Sequence, residues 1–125
     1  MYQRFEIIGR VVANPEMKYT PDATAVTNFT VAVNEKFGER ENTVWVRVAT
    51  WNGLAEVCNK YVSKGMLIFV EGRINVDDSG NPRTFIRKDG TAGASLEMTA
   101  NTVKFLSKSE RVADTPYETV ADIPF

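Results

Sequence analysis

Residues 43–65 read Thr-Val-Trp-Val-Arg-Val-Ala-Thr-Trp-Asn-Gly-Leu-Ala-Glu-Val-Cys-Asn-Lys-Tyr-Val-Ser-Lys-Gly. Within this stretch the spacing of apolar residues changes. Over 43–51 the chain alternates, with Val44, Val46 and Val48 on one face and Trp45, Arg47, Ala49 and Trp51 on the other. A period of two predicts a strand. Beyond it, Leu54, Val57, Cys58 and Tyr61 recur at i, i+3, i+4 and i+7, the stripe of a short helix. Asn52 can cap the start of that helix, Lys60 and Lys64 suit its last turn, and Gly65 its C-terminal turn.

Upstream, residues 5–12 predict a strand in which Gly9 marks a bulge or tight bend, ended by Asn14-Pro15-Glu16. Residues 25–34 alternate again, with Phe29, Val31 and Val33 facing a core. A polar loop over 35–42 carries Phe37 beside Gly38. Downstream, 66–76 predict a fourth strand and 94–106 a fifth. A long polar hairpin separates them, with turn signals at 77–82 and 88–90. Three strands, one helix and two strands is the order of an OB-fold, an all-β five-stranded Greek-key barrel with one short helix between strands 3 and 4. A small open sheet packed on one helix gives the same order. The barrel occupies 1–106, and 107–125 read as a short disordered acidic tail.

Composition narrows the chemistry. The 125 residues suffice for one core. No apolar run approaches 18 residues, and the first residues lack the apolar stretch of a signal peptide, so a cytoplasmic protein is expected. A single cysteine, Cys58, leaves no internal disulfide framework. The absence of histidine removes the commonest general base and makes a zinc site a poor fit. The net charge is −1. In 107–125, Lys108 and Arg111 stand against Glu110, Asp114, Glu118 and Asp122, which leaves 1–106 at +1. Polyanion binding would therefore depend on local placement rather than bulk charge. Neither a calcium loop nor a phosphate-cradling Gly-Lys-Thr/Ser motif is present, and no cofactor or metal is expected.

The face of Trp45, Arg47 and Trp51 is the strongest signal of function. The opposite face supplies the core, so two indoles and a guanidinium remain outside. Bases of single-stranded nucleic acid stack on such rings for roughly 1–3 kcal/mol each, whatever the sequence. Phe37 and Phe85, each in a polar glycine-bearing hairpin, would extend this platform if the hairpins fold over a groove. Arg10, Lys18, Lys36, Arg47, Lys64, Arg73, Arg87 and Lys88 are candidate phosphate contacts. The same indoles could instead anchor a protein partner. A nuclease would need convergent carboxylates, and the strand-borne acids Glu6, Glu71 and Glu97 fall on separate strands. At the other end, Asp122-Ile123-Pro124-Phe125 join an apolar tip to negative charge, which suits a hydrophobic pocket rimmed by basic residues.

Together these residues resemble the bacterial-type single-stranded DNA-binding protein family over nearly the whole chain. The matches run in order through Ile8-Gly9-Arg10, Asn14-Pro15-Glu16, Val26 to Val33, Val44-Trp45-Val46-Arg47-Val48, Leu54-Ala55-Glu56-Val57, Lys64-Gly65, Val70-Glu71-Gly72-Arg73 and the closing Asp-Ile-Pro-Phe. The resemblance implies a non-catalytic homotetramer of OB-folds that wraps single-stranded DNA in the cytoplasm, at the nucleoid. It implies stacking by Trp45, Trp51, Phe37 and Phe85 and phosphate contacts from Arg47 and Lys64. It also implies a tip, 122–125, that recruits replication, recombination and repair proteins. Three departures stand out. Gly53 replaces a lysine common in the family, Asp77 and Asp78 interrupt a usually basic hairpin, and only 15 residues join barrel to tip.

Overall fold

A computed structural model describes residues 1–107, with the backbone but not the side chains of Phe85, Ala94 and Ser95. Seven strands and one helix follow in order: β1 (Phe5–Val11), β2 (Glu16–Tyr19), β3 (Ala25–Phe37), β4 (Arg40–Trp51), α1 (Asn52–Tyr61), β5 (Leu67–Asn75), β6 (Arg83–Ile86) and β7 (Ala92–Phe105). Strand neighbours run β1-β5-β7-β4-β3, and β1 returns to β3 to close the ring. This is the five-stranded barrel of an OB-fold, with β4 and β7 as its parallel pair.

Closure happens where β1 changes partners. Arg10 lies opposite Leu67 of β5 and also opposite Ala32 of β3. Gly9 permits the close crossing, because a Cβ there would stand 2.4 Å from the Ala32 carbonyl oxygen. Of the bulge or tight bend expected at Gly9, the bulge lies elsewhere, on β7, where Asn101 is the extra residue opposite the step from Glu71 to Gly72 of β5.

The core gathers alternate residues from all five barrel strands, including Val11, Phe29, Val31, Val46, Val48, Ile68, Val70 and Met98. Val44 departs from the expected pattern. It shares the parity of Val46 and Val48 but is 36% exposed, because β4 has left the barrel at that point and runs into a hairpin. The polar segment 35–42, expected as a loop, is that hairpin. β3 and β4 stay paired as far as Phe37 and Arg40. Gly38, with φ +62°, takes the first position of the two-residue turn, where a II′ turn places glycine. The ribbon is polar on both sides, so alternation carries no signal there. β2 pairs with the far edge of β3, and β6 with β7, giving two strands beyond the five anticipated.

α1 covers one end of the barrel, packed on β3 and β4. Ala55, Cys58 and Val62 are fully buried, Leu54 and Tyr61 pack partly against the core, and Val57 is exposed. The buried stripe is thus turned from the predicted one. Ala55 faces inward because the helix backbone approaches β3 closely, where the Thr27 hydroxyl donates to the Ala55 carbonyl at 2.6 Å. Only a small side chain fits that approach. Asn52 does not cap the helix. Trp51 is the capping residue, with no side-chain cap, and Asn52 has φ +57°, a left-handed conformation that asparagine tolerates better than most residues. Among the described residues no helix is long and apolar enough to cross a membrane.

Candidate nucleic-acid interface

Strand register builds the outer face one lane at a time, since residues paired across a sheet share a side. Trp45 lies beside Ala32. Next, Thr30 of β3, Arg47 of β4, Glu97 of β7 and Asn75 of β5 form a row across four strands. The following row runs Glu16, Asn28, Ala49, Thr99 and Arg73. Last comes Lys18, Val26 and Trp51. The inner residues of β4 and β7 between these rows, Val46, Val48 and Met98, are buried, which fixes the direction of the outer ones.

The two indoles are 58% and 42% exposed, for Trp45 and Trp51 respectively. Six residues apart on an extended strand, they stand about 20 Å from one another. Arg47 is exposed between them. Among the described residues neither its guanidinium nor the Glu97 carboxylate makes an ion pair or a side-chain hydrogen bond. Thr99 donates its hydroxyl to the Asn75 Oδ1 at 2.8 Å, tying two rows together. The face can therefore offer flat rings for stacking and a free guanidinium for phosphate.

The other candidates divide. Lys18 and Arg73 lie at the rims of the same face, both exposed. Arg10 is exposed but donates from Nη1 to the Gly65 carbonyl at 3.0 Å, so it also pins β1 to the turn before β5. Lys64 stands in that turn, where its backbone N–H donates to Asn14 Oδ1. Phe37 is 63% exposed at the tip of the β3–β4 hairpin. Its register with Arg40 gives it the parity of Val33 and Val44, opposite to that of Trp45, whereas Lys36 has the parity of the indoles. Phe85 lies on β6 opposite Gly93. Arg87 and Lys88 occupy the β6–β7 turn, where Arg87 donates to the Ala92 carbonyl at 2.6 Å. Asp89 beside them is held below the usual carboxylate range by hydrogen bonds from the side chain and backbone of Thr91, so this turn carries a firm negative charge as well. Asp122, Ile123, Pro124 and Phe125 lie outside the described residues.

Several neighbours in the face were missed from sequence. Glu97, Asn75, Thr99 and Asn28 complete the rows, and alternation around buried Met98 was the available signal for Glu97 and Thr99. Tyr19 on β2 and Arg83 on β6 are exposed near the platform's margins.

A second surface lies on the side of Val44. Phe5, Ile8, Val33, Val44, Phe69 and Leu96 line an apolar groove of about 470 Å³ with Glu6 and Glu35 at its edge. Ile8 is 53% exposed there.

Comparison with known proteins bears on the whole barrel. Residues 2–106 match the sequence model described as the Single-strand binding protein family. A "Single-stranded DNA-binding protein" of Neisseria meningitidis serogroup A is 35% identical over 118 residues, covering 90% of this chain and 64% of the relative. One of Clostridium tetani is 39% identical over 106 residues, covering 82% of this chain and 69% of the relative. One of Halalkalibacterium halodurans is 36% identical over 110 residues, covering 85% and 61%. The chain thus spans somewhat under two thirds of the Neisseria relative's length. A match over the whole barrel, on a closed five-stranded fold with the two indoles outward, makes this chain a member of the single-strand binding protein family.

Proposed function

We propose that the protein binds and protects single-stranded DNA, largely without regard to sequence, by stacking bases on Trp45 and Trp51 and meeting phosphates with Arg47. The observation that carries this reading is the exposure of both indoles on one strand with an unpaired guanidinium between them. Lys18, Arg73 and Lys64 supply further phosphate contacts, with Arg10, Arg87 and Lys88 at the margins. Phe37 and Phe85 reach a strand that continues over the hairpins. The relatives' names support the substrate.

The protein acts without catalysis, cofactor or metal, in the cytoplasm at the nucleoid. It works as a homotetramer, and the apolar groove of Ile8, Val44 and Phe69 seats another copy. The tip Asp122-Ile123-Pro124-Phe125 recruits replication, recombination and repair proteins.

Anisotropy of a labelled oligo-dT tests the central reading. Trp51→Ala is expected to weaken binding about 5- to 150-fold, the loss of one stacking partner. Normal affinity in both Trp45→Ala and Trp51→Ala would contradict it.

A further inference from the structure

We infer that Glu97 is a selectivity residue, which turns away polynucleotides that approach backbone first and so favours single strands over duplex. The inference rests on the outer face being the single-strand surface. Glu97 lies in the middle of that face, between Arg47 on β4 and Asn75 on β5. Its neighbour Met98 is fully buried, so the carboxylate belongs to the outer side. Among the described residues it has neither an ion-pair nor a hydrogen-bond partner, so its charge is not absorbed within the fold. A second carboxylate, Glu16, sits on the same side at the β2 edge, while Lys18 and Arg73 occupy the rims.

At the centre Arg47 and Glu97 stand side by side with opposite charges, and the rims carry Lys18, beside Glu16, and Arg73. A single strand can lay its bases on the indoles and leave its phosphates toward Arg47 and the rims. Its bases carry no charge, so Glu97 costs that pose little. A duplex keeps its bases stacked and paired inside and carries its charged backbone on the outside, so a broad sheet face that meets it brings phosphate against the Glu97 carboxylate. Like charges set together disfavour that complex. Glu97 thereby acts against the wrong ligand rather than for the right one.

The test compares oligo-dT with a duplex of equal length in Glu97→Gln, Glu97→Asp and Glu56→Gln, at low and at 1 M salt. Glu56, exposed on α1, controls for net charge. Glu97→Gln is expected to raise duplex affinity about tenfold, which is about 1.4 kcal/mol, and oligo-dT affinity less than about threefold. The gain shrinks at 1 M salt, as screening requires. Glu97→Asp keeps the wild-type ratio. An unchanged ratio in Glu97→Gln, an equal shift in Glu56→Gln, or a shift in Glu97→Asp as large as that in Glu97→Gln overturns this inference alone. Failure of the wild-type protein to bind oligo-dT overturns the underlying functional reading, and this inference with it.

Discussion

Cys58 is buried on the inward side of α1, and burial pushes its thiol up to about 12, with a smaller opposing effect from the Thr50 hydroxyl. The ordinary value is 9.0. Below pH 9 the thiol is protonated in both the folded and the unfolded chain, and its contribution to stability is fully present. Between pH 9 and about 12 only the unfolded chain releases the proton, so stability falls as pH rises. Alkylation by iodoacetamide at pH 8 is expected to be slow in the native protein and complete after denaturation. Rapid labelling of the native protein would contradict that burial. The inward position of Cys58 was legible from its place in the helical stripe, and so were the outward indoles. Asn52 was not. Its residue type suits a helix cap, but a left-handed backbone at the junction of β4 and α1 uses asparagine for its conformational tolerance instead. Nothing in the local pattern separates those two uses.

At the scale of elements, two buried threonines join the platform strand to its helix. Thr27 donates to the Ala55 carbonyl, and its own carbonyl accepts from the Thr50 hydroxyl at 2.9 Å. Trp51 lies between these two attachments in sequence. Thr27→Val keeps the shape and removes the donor, and is expected to cost about 1–2 kcal/mol. A lower urea midpoint at unchanged slope would report it, and an unchanged midpoint would show the bond to be dispensable. Strand existence and order were readable because each barrel strand has one wet and one dry face. The β3–β4 hairpin was not readable as strand, since neither face is buried. β2 and β6 are too short, at four residues each, to show a period. The site followed the same rule. Residues on β4 were legible, whereas their neighbours across the sheet depend on register, which a single strand's sequence does not contain.

For the whole molecule, two surfaces are proposed to divide the work. The proposal gives DNA to the indole face and another copy to the groove of Ile8, Val44 and Phe69. Ile8→Asp places a charge in that groove while leaving the buried side of β1 intact. It is expected to reduce the mass in solution to a smaller assembly with the barrel still folded. A wild-type mass would place the contact elsewhere. The central claim is the stacking platform, and intrinsic fluorescence reads it directly, because Trp45 and Trp51 are the chain's two tryptophans. Titrated with oligo-dT at moderate salt, the emission should be strongly quenched and saturate, while duplex of equal length leaves it nearly unchanged. Saturating oligo-dT that leaves both indoles unquenched would contradict the account.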